Sequence, residues 1–241
     1  MKKYTVLLVF FTFYSVFAQT RRDFDTLPVV WPDTTAVKTG PLKFVPITGK
    51  QFNDIRAFAI ANKNAGGVPA PVLKDSKLIV ATKNALFELP AGGGYESSYS
   101  YIQYVPEIRS HLISRCGEGA CSAYLLDHET NGIMYVPSSY DSGVMGFSVS
   151  PSGKYFLVYS SYDGPDYADY YTTRSEFMIY SIGQTKGMKG LRLYREFEST
   201  EWSIDEMVWL DNSTLALKVY AGNAAVDMEP VQYKYYETVI K

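Results

Sequence analysis

Residues 147–161 read FSVSPSGKYFLVYSS. Apolar runs stand on both sides of Pro151-Ser152-Gly153, a trio of the type that reverses a chain between paired strands. The stretch therefore predicts a strand, a tight turn and a second strand. The same pattern returns without gaps at 207–219, MVWLDNSTLALKV, an offset of 60 residues, with Asp211-Asn212-Ser213 as its turn. A looser copy is PVLKDSKLIVA at 71–81, turning at Lys74-Asp75-Ser76. One strand-turn-strand unit recurring at irregular long spacing is what propeller blades with variable loops leave in a sequence.

Outward from this unit, short β segments separated by Gly, Pro, Asn, Asp and Ser fill the chain from Pro41 onward. Expected strands cover 42–47, 77–82, 85–89, 98–105, 111–115, 122–127, 133–137, 146–150, 155–161, 176–182, 191–197, 206–210, 215–220 and 231–240. Many short strands with regular turn signals indicate an all-β sandwich, barrel or propeller. Composition agrees, because 21 Tyr and 13 Phe suit a pleated, half-buried surface. Only QFNDIRAFAIANKNA, 51–65, has helical spacing at Phe52, Ile55 and Phe58. Part of it also alternates as a strand, so its periodicity leaves both readings open.

FSVSPSGKYFLVYSS resembles the strand, Ser-Pro-Asp/Ser-Gly-Lys, strand segment of β-propeller repeats in the WD-repeat and Tol-type translocation protein classes. The likeness covers about 15 residues closely, lacks the Trp-Asp signature that closes a WD blade, and rests mainly on turn chemistry. It implies an all-β fold with a propeller-like arrangement of about four short antiparallel sheets, since the chain has room for four or five blades of about 40 to 50 residues. A β-sandwich is the alternative. If the sheets form a ring, VQYKYYETVI (231–240) and LKFVPI (42–47) are natural partners in the last blade, because open edges invite aggregation. The resemblance implies a binding platform more than an enzyme, and a fold does not fix an activity.

The chain opens MKKYTVLLVFFTFYSVFAQ: two lysines, an uncharged apolar run from Tyr4 to Phe17, and small residues Val16 and Ala18 before Gln19. Residues 1–18 read as a secretory signal peptide, too short in their apolar run for a spanning helix. The expectation is a secreted or periplasmic protein with no membrane association after cleavage. Residues 19–40, with Pro28, Pro32 and several Asp and Thr, read as an extended mature N-terminus. Val29, Val30 and Trp31 are costly to leave in water and are expected to dock. Residues 41–241 then form one β-rich domain. Export bears on RCGEGAC, 115–121, which holds Cys116 and Cys121, the chain's two cysteines. In an oxidising compartment a pair facing across a hairpin tip closes into a disulfide. A redox pair or a metal clip are the weaker readings, since zinc needs more soft ligands.

Charge excludes one class: 23 Lys+Arg against 25 Asp+Glu, a net of −2, gives no basic field for nucleic acid. The catalytic motifs G-x-S-x-G, H-E-x-x-H and the phosphate-cradling loops are missing from the sequence, so no catalytic residue, cofactor or metal is assigned. His111, at the start of a strand, and His128, in the turn DHETNG, read as structural or solvated. The most suggestive stretch is SSYDGPDYADYYTTR, 160–174. Its candidate binding residues are Tyr162, Asp163, Asp166, Tyr167, Asp169 and Tyr170: tyrosines beside acids can stack on a sugar or grip a basic peptide. A solvated acidic loop is the plainer reading, and the spacing does not match a calcium loop. The function expected is an exported binding module for a protein, peptide or envelope glycan. The alternative is a hydrolase or lyase acting on an envelope or extracellular polymer.

Overall fold

A computed structural model of the protein describes residues 20–31, 33–34, 38, 40–61, 68, 70–92, 97–162, 167–184, 187–221 and 231–241, with the side chains of residues 60, 61 and 167 left aside. The signal segment 1–18 lies outside these residues. In chain order the elements are β1 (Thr20–Arg22), β2 (Val29–Val30), β3 (Phe44–Pro46), α1 (Gly49–Ala61), β4 (Val72–Lys74), β5 (Lys77–Ala81), β6 (Ala85–Pro90), β7 (Ser98–Val105), β8 (Ser110–Gly117), β9 (Ala120–Asp127) and β10 (Ile133–Val136). They continue with β11 (Gly146–Val149), β12 (Tyr155–Ser161), the short helix α2 (Tyr167–Tyr170), β13 (Ser175–Ile182), β14 (Leu191–Ser199), β15 (Ser203–Trp209), β16 (Thr214–Tyr220) and β17 (Tyr233–Val239).

The strands form four separate, mostly antiparallel sheets in the orders β1-β6-β5-β4, β2-β10-β9-β8-β7, β11-β12-β13-β14 and β15-β16-β17-β3. The fold is all-β with about four short, mostly antiparallel sheets as expected, and not the two sheets of a sandwich. Alternation along the strands sets the stacking, because successive side chains point to opposite faces. On β12, Phe156 and Val158 join Leu112, Leu125 and Met134 of the second sheet, while Leu157 and Tyr159 join Met207, Trp209 and Leu217 of the fourth. The second sheet is likewise shared: Ile113, Leu126 and Ile133 turn towards Leu78, Val80 and Phe87 of the first. Each inner sheet is therefore apolar on both faces, which is why β12 reads as a nearly continuous hydrophobic run. The three clusters join sheets one to two, two to three and three to four; among the described residues none joins the fourth to the first.

The expected closing pair is present, with β17 antiparallel to β3 in the register Tyr236↔Pro46, Glu237↔Val45 and Thr238↔Phe44. The segment before it does more. β1 runs parallel to β6, β2 runs parallel to β10, and Asp33 and Lys38 form parallel bridges to Arg192 and Arg195 of β14. The described residues between 20 and 46 thus lie along one edge of all four sheets in turn. Arg195, 6% exposed, ties two of these closures together, donating to the Ile240 carbonyl at 3.1 Å and the Gly40 carbonyl at 3.0 Å. Docking is by backbone, however. Phe24 is the buried anchor, whereas Val29, Val30 and Trp31 stay 43, 55 and 66% exposed, Trp31 resting against the Tyr135 ring. The expected docking is present, but a two-residue edge strand secures main-chain bonds without covering its side chains.

The undecided stretch near residue 51 is helix α1. Thr48 and Gln51 settle it by reciprocal capping: Gln51 N donates to Thr48 Oγ1 at 3.2 Å and Thr48 N to Gln51 Oε1 at 2.8 Å. A Thr-x-x-Gln box of this kind satisfies two amides that a helix start leaves open. Phe52 is buried against Tyr235, and Arg56 pairs with Glu206 at 2.8 Å, so α1 covers the face of the fourth sheet turned away from the third.

The two gap-free repeats are the opening hairpins of the third and fourth sheets, β11-β12 and β15-β16. Their turns touch, Ser152 N donating to Asn212 Oδ1 at 2.6 Å. The looser copy forms β4-β5, and its turn lies at the other end of the stack, where Ala91 N bonds to Ser76 O as the chain leaves for β7.

Candidate functional site

β8 runs from Ser110 at one end of the second sheet to Gly117 at the other, and the two ends differ in chemistry. At the far end Cys116 and Cys121 face each other in register and form a disulfide, with Cα atoms 4.0 Å apart. Between them Glu118 and Gly119 have φ of 54° and 86°; two consecutive positive φ values make the two-residue turn that suits a twisted hairpin. The disulfide expected from RCGEGAC is present.

This hairpin is joined to the tyrosine-rich segment through a connection that sequence reasoning passed over. After β10 the chain crosses to the third sheet through Ser138-Ser139-Tyr140-Asp141-Ser142-Gly143. Cys121 N donates to the Asp141 carbonyl at 2.6 Å. Gly143, with φ of 72°, lies so close that a Cβ would stand 2.9 Å from the Cys121 carbonyl, so only glycine fits. Ser139 pins the same connection to β13, its N–H and hydroxyl donating to the buried Glu176 carboxylate at 2.6 and 2.7 Å.

On this base the tyrosines assemble. The Tyr171 hydroxyl donates to Asp141 Oδ2 at 3.1 Å and accepts from Asp141 N at 3.3 Å. Its ring centroid lies 5.0 Å from Tyr140, 4.9 Å from Tyr162 and 6.4 Å from Tyr170, with planes tilted by 52 to 62°. Such tilted contacts favour the aromatic quadrupoles. Tyr140 is buried, bonds through its hydroxyl to Thr173 Oγ1 at 3.0 Å, and has its pKa pushed up to about 12 by burial. Burial also raises that of Tyr171, so both stay neutral hydrogen-bonding groups at physiological pH. Tyr162 is held by its backbone: its N–H donates to the Arg174 carbonyl at 2.9 Å, and its carbonyl accepts from Ser203 Oγ at 2.6 Å. Tyr170, on α2, is 74% exposed.

Of the six candidate binding residues, Tyr162 and Tyr170 share the surface built on Tyr171, and Asp169 is exposed on α2 beside Tyr170. Asp163 and Asp166 lie outside the described residues, as does the side chain of Tyr167. Sequence reading missed Tyr140 and Asp141; the signal available was a second Tyr-Asp pair in a polar connection, but nothing local brings position 141 to position 171. Among the described residues no three His, Cys, Asp or Glu side chains gather as a metal site, and no helix is long and apolar enough to cross a membrane. The assembly offers a rigid aromatic surface with a carboxylate at its edge. No protein-family model matches the sequence, and no curated protein matches it.

Proposed function

We propose that the protein is an exported binding module that recognises an envelope glycan, a peptide or a protein partner through the loops at its cystine end. The observation that carries this reading is the pre-ordered tyrosine surface: Tyr171 is fixed by Asp141, Asp141 by the disulfide hairpin, and Tyr170 stands 74% exposed at the edge. Rigid aromatic side chains give contact area at low ordering cost, which favours affinity. Among the ligand classes a glycan is favoured, because a tyrosine face stacks on the C–H face of a sugar while Asp141 and Asp169 accept hydroxyl hydrogen bonds.

The test uses the purified mature chain on arrays of envelope oligosaccharides and basic peptides, beside the variants Tyr170→Ala and Asp169→Asn. Saturable retention that weakens about tenfold in Tyr170→Ala, a loss of about 1.4 kcal/mol, supports the proposal. Turnover of a polysaccharide that disappears in Asp169→Asn replaces it with the hydrolase or lyase reading. Retention equal in all three proteins moves the site elsewhere.

A further inference from the structure

The chain's two histidines meet at the end of the second sheet opposite the cystine. His111, at the start of β8, is 1% exposed, and its Nε2 lies 3.1 Å from Nδ1 of His128, just beyond β9. Its other ring nitrogen, Nδ1, lies 3.2 Å from the Tyr101 hydroxyl. Tyr104 packs against both imidazoles, at 5.0 and 5.9 Å. Between two nitrogens at hydrogen-bond distance there is room for one proton: one ring donates and the other accepts. When both rings are charged, both facing nitrogens carry hydrogen, and the contact turns from a bond into a repulsion.

The pair sits under the contact that joins the first two sheets at this end. The His128 carbonyl accepts from Lys83 N at 2.9 Å, and Thr82 Oγ1 donates to Asn131 Oδ1 at 2.6 Å. His128 N in turn donates to the Arg109 carbonyl. Displacing the His128 ring therefore disturbs the backbone that holds the β5-β6 turn.

We propose that the His111–His128 pair is an acid-sensitive joint that loosens the β5-β6 turn from the second sheet on acidification while the remaining turn contacts at that end persist. The charged groups around it do not cancel this response. Glu107, Asp127 and Glu129 are negative, Arg109 and Lys83 positive, and Tyr101 and Tyr104 come from β7. The two carboxylates beside His128 are committed: Asp127 accepts from Glu129 N, Thr130 N and Met188 N, and Glu129 is paired with Lys83 at 2.7 Å. Burial first, then the neighbouring His128, push the His111 pKa down from 6.5 to about 4, against an opposing bond to the Ala81 backbone. The unfolded or opened state thus binds more protons between these values. The joint is intact above pH 6.5 and loses stability as pH falls towards 4, with no further loss from this group below that.

Imidazole NMR of the whole mature protein and hydrogen exchange of single amides, corrected for intrinsic rate, test the joint. His111 is expected to stay neutral to below pH 5, and its midpoint to rise in His128→Gln, where the second charge is gone. The Lys83 amide, bonded to His128, is expected to open on the order of 100-fold more at pH 4 than at pH 7. The Ser152 amide, bonded to Asn212 at the same end of the stack, is expected to change far less. In His111→Gln the extra opening of Lys83 disappears. A His111 midpoint near 6.5, an unchanged midpoint in His128→Gln, or equal acid opening of Lys83 and Ser152 overturns the proposal; the first and third need only the wild-type chain.

Discussion

The two ends of the β8-β9 hairpin make opposite use of polar residues. At the His111 end polar groups are spent on one another, turn bonding to turn: Thr82 to Asn131 in a buried contact, Lys83 to His128, and Ser152 to Asn212 at the surface. At the cystine end they hold up aromatic rings that remain partly in water: Asp141 carries Tyr171, and Tyr170 beside it is largely exposed. The first arrangement links the turns of successive sheets to each other. The second fixes one rigid patch and leaves its outer face unused by the fold. If the proposed binding reading holds, the contacts between sheets and the recognition surface lie at opposite ends of the same strands.

The sharpest way to break this contrast is in the core near the turn end. Phe156, the second residue of β12, is fully buried between the second and third sheets. Phe156→Ala is expected to cost about 3–5 kcal/mol, through lost transfer energy and a residual cavity, read as a lower urea midpoint at an unchanged slope. A cost no greater than that of an exposed tyrosine would mean that the sheets are not locked there.

Next in size is the cystine itself. Replacing Cys116 and Cys121 with Ser is expected to cost about 2 kcal/mol, modest because the closed loop is short. Its larger effect falls on the surface. Without the covalent tip the Cys121–Asp141 bond loses its rigid base, so ligand retention drops even where the chain remains folded. Mass measured with and without reductant checks the starting state: two free thiols in the native protein contradict the disulfide.

Smaller again is the Asp211 turn. Its carboxylate accepts from Ser213 N at 2.6 Å, Thr214 N at 2.8 Å and both hydroxyls. Partial burial pushes its pKa up, but the bonds from Ser213 and Thr214 outweigh this and hold it below the usual 3.8. The contribution is present above the unfolded value and is lost as pH falls through the lower folded one. Asp211→Ala is expected to cost about 1 kcal/mol at neutral pH, and the difference from wild type should vanish in strong acid.

What the sequence made legible follows from the range of each interaction. Strands 98–105 and 155–161 coincide with β7 and β12 because turn residues flank each run and no partner is needed to recognise them. The disulfide was readable for the same reason: its cysteines are five apart across a tip that glycine and glutamate can turn. Helix α1 hid behind its weak periodicity, although Thr48 and Gln51 spell out a cap. The parallel pairings of residues 20–38 left no local trace, since pieces of two or three residues carry no pattern of their own and take their register from β6, β10 and β14. The site divided along the same line. Tyr162, Asp169 and Tyr170 were found as a run of types in one segment, but Tyr140 and Asp141 reach Tyr171 across 30 residues and a change of sheet. The histidines were missed as a pair although β8 and β9 form one hairpin: His111 stands opposite Leu126 in register, which brings position 128 within reach of its side chain.

The smallest stability effect is the most informative about function. Tyr170 is 74% exposed, and among the described residues its ring contact is with Tyr171, at 6.4 Å between centroids. Truncating such a residue removes little buried area, so Tyr170→Ala is expected to change unfolding free energy by less than about 0.5 kcal/mol. Tyr171→Phe keeps the ring but loses both hydrogen bonds to Asp141, leaving the patch aromatic and less well fixed. If the surface works by pre-ordering, both variants weaken ligand retention while their urea midpoints stay near wild type, and Tyr171→Phe acts mainly by slowing association into the correct pose or speeding release. If retention falls in Tyr170→Ala alone, exposed area is what matters and the Asp141 support is a fold device. If both midpoints fall by as much as that of Phe156→Ala, the cystine end is part of the lock, and the division of labour between the two ends does not hold.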